Sequence, residues 1–104
     1  MLAKHPLKVP VIVERAGPKT QQIAKKKFLV PRDLCMGQMS DVIRKQLHLR
    51  AEDALFLFVG GPPGRGTLAS VTSTVGSAHS QHADEDCFLY IIYNQENYFG
   101  APLT

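Results

Sequence analysis

The stretch that most restricts the fold is residues 87–93, where Cys87, Phe88, Leu89, Tyr90, Ile91, Ile92 and Tyr93 follow one another without a charged side chain. A short run this apolar, rich in β-branched and ring side chains and flanked by polar segments, reads as a strand buried on both faces. Such a strand belongs in the middle of a sheet. Polar Asn94, Gln95, Glu96 and Asn97 follow, then Tyr98, Phe99 and Gly100, and a patternless end at residues 101–104. A core strand thus runs out to a glycine close to the last residue.

The chain has 104 residues, enough for one hydrophobic core and too few for two. With 44% hydrophobic and 20% charged residues it has the composition of an ordinary globular protein. Its net charge of +3 and pI near 9.0 favour acidic partners but fall short of the dense basic stripe expected of a nucleic-acid binder. Cys35 and Cys87 make neither a disulfide framework nor a C-x-x-C metal motif, so a reducing, cytosolic setting is expected. Residues 1–10 carry Lys4, Pro6, Lys8 and Pro10 and offer no signal-peptide core, and no run is long enough for a membrane span.

Residues 9–14 read as a strand that is apolar on both faces. Pro10 cannot donate to a ladder, so its position must be an edge, a bulge or a strand start. Ala16, Gly17, Pro18, Lys19 and Thr20 are turn residues, and a second strand at 26–30 ends at Pro31; their closeness predicts an antiparallel hairpin with a long loop. From Met36, apolar residues recur at Met39, Val42, Ile43 and Leu47, the stripe of an amphipathic helix. Asp33 upstream and Arg44 and Lys45 downstream suit the two poles of that helix. A third buried strand is expected at 55–59, a Gly/Pro loop at 60–66, and one short helix within 67–82, where Leu68, Val71, Val75 and Ala78 fall on helical spacing.

The order strand, strand, helix, strand, short helix, strand predicts an α+β fold: the ubiquitin-like β-grasp, a four-stranded mixed sheet with the last strand beside and parallel to the first. The helix covers one face of that sheet, and the apolar residues on the other favour a partly exposed groove. The sharper chemical motifs are weak. His79 and His82 lie near Asp84, Glu85 and Asp86 without the spacing of a metal site. Cys87, opening a core strand, is expected to be an inert hydrophobe. The glycine loop lacks the Gly-Lys-Ser/Thr ending of a phosphate cradle. No cofactor and no catalytic residue is expected.

Residues 9–14 (VPVIVE), 27–31 (KFLVP), 43–45 (IRK), 49–56 (LRAEDALF) and 86–90 (DCFLY) together resemble the autophagy ubiquitin-like modifiers, the group of microtubule-associated-protein light chain and GABA-receptor-associated protein. The resemblance runs from about Lys8 to Gly100. It implies a modifier and not an enzyme. Residues 1–7 would be a short N-terminal segment, 8–100 the ubiquitin-like domain, and 101–104 a tail removed by processing. A cysteine protease would cut after Gly100, with Tyr98 and Phe99 as its grip; activating and conjugating enzymes would carry Gly100 as a thioester and join it to phosphatidylethanolamine. A glycine suits that passage because it brings no Cβ into narrow enzyme clefts. The protein would be cytoplasmic and reversibly attached to autophagosome membranes.

The resemblance also implies docking of short extended peptides from cargo receptors, which carry an aromatic residue and an aliphatic one three positions later. Such peptides pair with a sheet edge and drop alternate side chains into pockets. Pro10, Ile12, Lys27, Leu29 and Phe88 would line the aromatic pocket; Phe28, Val30, Pro31, Leu34, Met39 and Val42 would line the aliphatic one. Lys8, Lys25, Lys26 and Lys27 would attract flanking acidic residues. Tubulin is a weaker use of the same charges, and nucleic acid is not expected. Members of the family usually begin with an extra helical segment over the sheet face away from the main helix. Two other classes fit the same fold: a sister modifier joined to a protein lysine, and an unconjugated peptide-binding scaffold.

Overall fold

The computed structural model describes residues 8–62 and 65–95. In chain order the elements are β1 (Lys8–Arg15), β2 (Lys27–Pro31), α1 (Met36–Leu47), β3 (Phe56–Val59), β4 (Thr67–Leu68), α2 (Val75–His82) and β5 (Leu89–Asn94). The sheet order is β2-β1-β5-β3-β4. β1 and β5 run parallel, with Val11 opposite Leu89 and Val13 opposite Ile91, and the remaining pairs are antiparallel. This is the β-grasp arrangement expected from the order of elements, with five strands in place of four.

The extra strand, β4, has two residues and pairs Leu68 with Phe58 and Thr67 with Val59. Two residues are too few to show a period of two, so the helical spacing of Leu68 and Val71 with Val75 and Ala78 misleads. Leu68 and Val71 are exposed, and only Val75 and Ala78 lie on α2 and in the core.

Pro10 sits at a point where the ladder makes no demand on it. Val13 donates its N–H to Lys26, so alternate residues of β1 face β2 and the intervening ones face β5. Pro10 faces β5, and the register with β5 begins one residue later, at Val11. Its missing donor costs nothing there.

One sheet face holds the core: Val9, Val11 and Val13 of β1, Leu57 and Val59 of β3, and Leu89, Ile91 and Tyr93 of β5 pack against Met36, Met39, Ile43 and Leu47 of α1. Each fully buried side chain of this size contributes about 1.5–3 kcal/mol. Asp33 lies outside the first turn of α1, which has no acidic residue; Cys35 is the N-cap, and its N–H donates to Gln38 Oε1 at 3.1 Å. Arg44 and Lys45 do occupy the last turn, where their charge suits the exposed carbonyls.

The long β1–β2 loop is strapped to this core. Ile23 is buried, Gln21 donates to the Leu47 carbonyl at 3.1 Å, and the Tyr93 hydroxyl donates to the Gln21 carbonyl at 2.5 Å.

Candidate functional site

The second strand of the hairpin lies at one border of the sheet, and its register shows which of its groups are spoken for. Val13 and Lys26 form a hydrogen-bonded pair, so by alternation Val11–Phe28 and Val9–Val30 do as well. The polar backbone groups of Lys27, Leu29 and Pro31 therefore point away from the sheet. Pro31 has no N–H to offer, so the available outward donors are those of Lys27 and Leu29, and the Pro31 carbonyl accepts from Leu34 at 3.2 Å.

Side chains divide about the same strand. On the face away from α1, Leu29 is exposed, Pro10 and Ile12 are half-buried beside it, and Lys27 is exposed. Phe88, half-buried, directly precedes β5. On the α1 side, Phe28, Leu34 and Val42 are half-buried. Val30 and Met39 are buried and can only form the floor, while Pro31 is exposed and alternates onto the side of Leu29. The strand thus carries apolar side chains toward both faces of the sheet.

The charge around this strand is uncompensated. Lys8, Lys25, Lys26 and Lys27 are exposed, and the ion pairs among the described residues involve only Arg50, with Glu52 and Asp53, each at 3.5 Å. Lys25 Nζ stands 5.0 Å from the centre of the Phe28 ring, a cation over an aromatic face at the mouth of the α1-side cluster.

Phe88 is positioned by a turn that sequence reasoning missed. Cys87 does not open the strand: it is exposed, with φ of 70°, at the end of a turn in which its N–H donates to the Asp84 carbonyl at 2.8 Å. Asp86 closes that turn by accepting from the Phe88 N–H at 3.0 Å and from the Tyr90 hydroxyl at 2.5 Å. The bond to Asp86 pushes the Tyr90 phenol up to about 12, helped by desolvation and by the charges of Asp86, Asp84 and Glu14. Asp86 is held below the usual carboxylate range by the same tyrosine, then by the Phe88 N–H. The signal in the sequence was an aspartate four residues before a tyrosine, too common to be read.

His79 shares a hydrogen bond with the Cys87 carbonyl at 2.8 Å through Nε2. Among the described residues, no group of three or more His, Cys, Asp or Glu is arranged to hold a metal ion. No helix among them is long and apolar enough to cross a membrane. Gly100, Tyr98, Phe99 and the segments 1–7 and 101–104 lie outside the described residues.

Comparison with known proteins agrees with this architecture. Residues 1–100 match the family described as autophagy protein Atg8, ubiquitin-like. The chain is 46% identical over 100 residues to autophagy-related protein 8b of Arabidopsis thaliana, covering 95% of this chain and 78% of that one. It is 44% identical over 99 residues to autophagy-related protein 8a of the same plant, covering 94% and 77%. The crystal structure of ATG8 from Trypanosoma brucei superposes with a TM-score of 0.76 at 34% identity, over 89% of this chain and 77% of that chain. With this sheet order and a match along nearly its whole length, the chain belongs to the Atg8 family of ubiquitin-like autophagy proteins.

Proposed function

We propose that this protein is a lipid-conjugated modifier and not an enzyme, and that it recruits partners by pairing their extended segments with β2. The observation that supports docking is the unused edge of β2, with its outward N–H and C=O groups between two apolar clusters and beside unpaired lysines. A peptide laid along it would gain main-chain hydrogen bonds from Lys27 and Leu29. Its aromatic side chain would enter beside Pro10, Ile12, Leu29 and Phe88, and its aliphatic one beside Phe28, Leu34 and Val42 over Val30 and Met39. Acidic flanking residues would be steered by Lys8, Lys25, Lys26 and Lys27.

Family membership supports the second half of the reading. A processing cysteine protease cuts after Gly100, which activating and conjugating enzymes then join to phosphatidylethanolamine. The two acyl chains of that lipid supply the anchor that one chain would not. The protein then cycles between cytoplasm and autophagosome membrane. Mass spectrometry of the wild type and Gly100→Ala from nutrient-deprived cells tests this: the wild type should lose residues 101–104 and gain the lipid mass, and the variant neither. An intact tail on the wild type, or Gly100 found only in an isopeptide bond to a protein lysine, overturns it.

A further inference from the structure

The two helices begin back to back, and the segment leading into each satisfies the other's free donors. The first N–H groups of a helix have no partner within it. Here Met36 and Gly37 of α1 donate to the carbonyls of Ser73 and Val71, at 2.8 and 3.0 Å. Val75 and Gly76 of α2 donate to those of Leu34 and Arg32, both at 2.8 Å. A single antiparallel bridge between Cys35 and Thr74 closes the seam. The turn from β2 to α1 is thereby held from outside by α2.

Gly76 is where this hold is tightest. It is buried, and a Cβ placed on it would lie 2.9 Å from the Arg32 carbonyl oxygen and 3.0 Å from Arg32 Cβ. A side chain of any size must push Arg32 away, and Arg32 lies between Pro31 and Leu34 in the turn. The Arg32 guanidinium reaches back over the same glycine to its carbonyl and to Ser80 Oγ, each at 3.4 Å.

We infer that Gly76 is a positioning residue for peptide docking: the start of α2 clamps the β2–α1 turn and so sets the width of the aliphatic pocket, leaving the aromatic pocket alone. This rests on the docking reading above. Pro10, Ile12, Leu29 and Phe88 are on or beside β1, β2 and β5 and take no part in the seam, whereas Leu34 belongs both to the seam and to the pocket wall. Gly76 therefore acts on which aliphatic residue a partner can present, through Leu34, without touching the peptide.

Calorimetric titration of the full chain with two synthetic peptides tests the clamp. Both carry acidic residues and a tryptophan; one has leucine and the other alanine three positions later. Gly76→Ala should weaken the leucine peptide about 5–10-fold and the alanine peptide less than about 2-fold, since only the first uses the pocket. Thr74→Ala removes the oxygen that accepts the Ser77 N–H at 3.1 Å and loosens the same seam. It should show the same selectivity at about 2–3-fold, and it carries the test if Gly76→Ala fails to fold. Val13→Ala, a core change remote from the seam, serves as the stability control and should not discriminate between the peptides. Equal weakening of both peptides by the seam variants, or the same selectivity in Val13→Ala, overturns the clamp. If the wild type binds neither peptide, the docking reading fails instead.

Discussion

Leu29 on β2 and Leu68 on β4 occupy matching places at opposite borders of one sheet. Both are exposed leucines, at 47% and 42%, and both fall at positions whose backbone donors point outward: Leu29 by the Val13–Lys26 pairing, Leu68 by the bond from Ala69 to the Leu57 carbonyl at 2.8 Å. Their surroundings separate them. β2 is five residues long, approached by three lysines and flanked by an apolar cluster on either side; β4 has two residues. An exposed leucine on an edge is therefore not itself a docking site. On the docking reading proposed above, length enough to pair with a visiting strand, and the lysines beside it, make the difference.

The most severe way to break this comparison is to remove one outward donor from each border. Leu29→Pro leaves the β1 ladder intact, because proline is tolerated where the N–H faces solvent, yet it should reduce docking of an acidic aromatic-leucine peptide by about 30-fold or more. Leu68→Pro should change it less than about 2-fold, since the shorter edge takes no peptide. Calorimetry checks both, and equal losses would erase the distinction drawn between the borders.

Charge should matter less than the backbone. Replacing Lys25, Lys26 and Lys27 together by glutamate should cost about 10-fold in affinity at low ionic strength, mainly through slower association, and the loss should shrink toward about 2-fold near 1 M salt. Stopped-flow association rates at several salt concentrations measure this. A loss that ignores salt would mean that the lysines act by contact and not by field.

The smallest expected effect concerns the turn beneath Phe88. Tyr90 keeps its proton to about 12 in the fold against an ordinary 10.0, so in the unfolded chain it ionises first. Its contribution to stability is complete below pH 10 and is lost as pH rises through 12. Asp86 works in the other direction, its contribution being present above the ordinary carboxylate pKa and lost as pH falls. Absorbance titration at 295 nm, an ordinary tyrosinate wavelength, should show one tyrosine moving back toward 10.0 in Asp86→Asn, while peptide affinity changes by only about 2-fold through Phe88. An unmoved titration would remove Asp86 from the account of Tyr90.

The parts of the fold visible beforehand are those whose signal is repeated. β1 and β5 announce themselves because a strand with neighbours on both sides has long apolar runs and few polar positions in its middle. The stripe from Met36 to Leu47 is read just as directly, and all of its buried members pack on the sheet. Single residues were harder. Ile23, one isoleucine in a polar loop, is a core anchor, and Cys87, inside the most apolar run of the chain, turned out to lie at the surface.

From the order and texture of its residues alone, the chain determines a β-grasp with a lysine-flanked second strand, since periodicity and turn chemistry act between neighbours and need no partner elsewhere. Only the tertiary structure decided which donors of β2 are left over, that a second edge exists and is two residues long, and that Gly76 bears on Arg32 from 44 positions away. Those outcomes depend on register and close approach between distant segments, quantities that local composition does not encode.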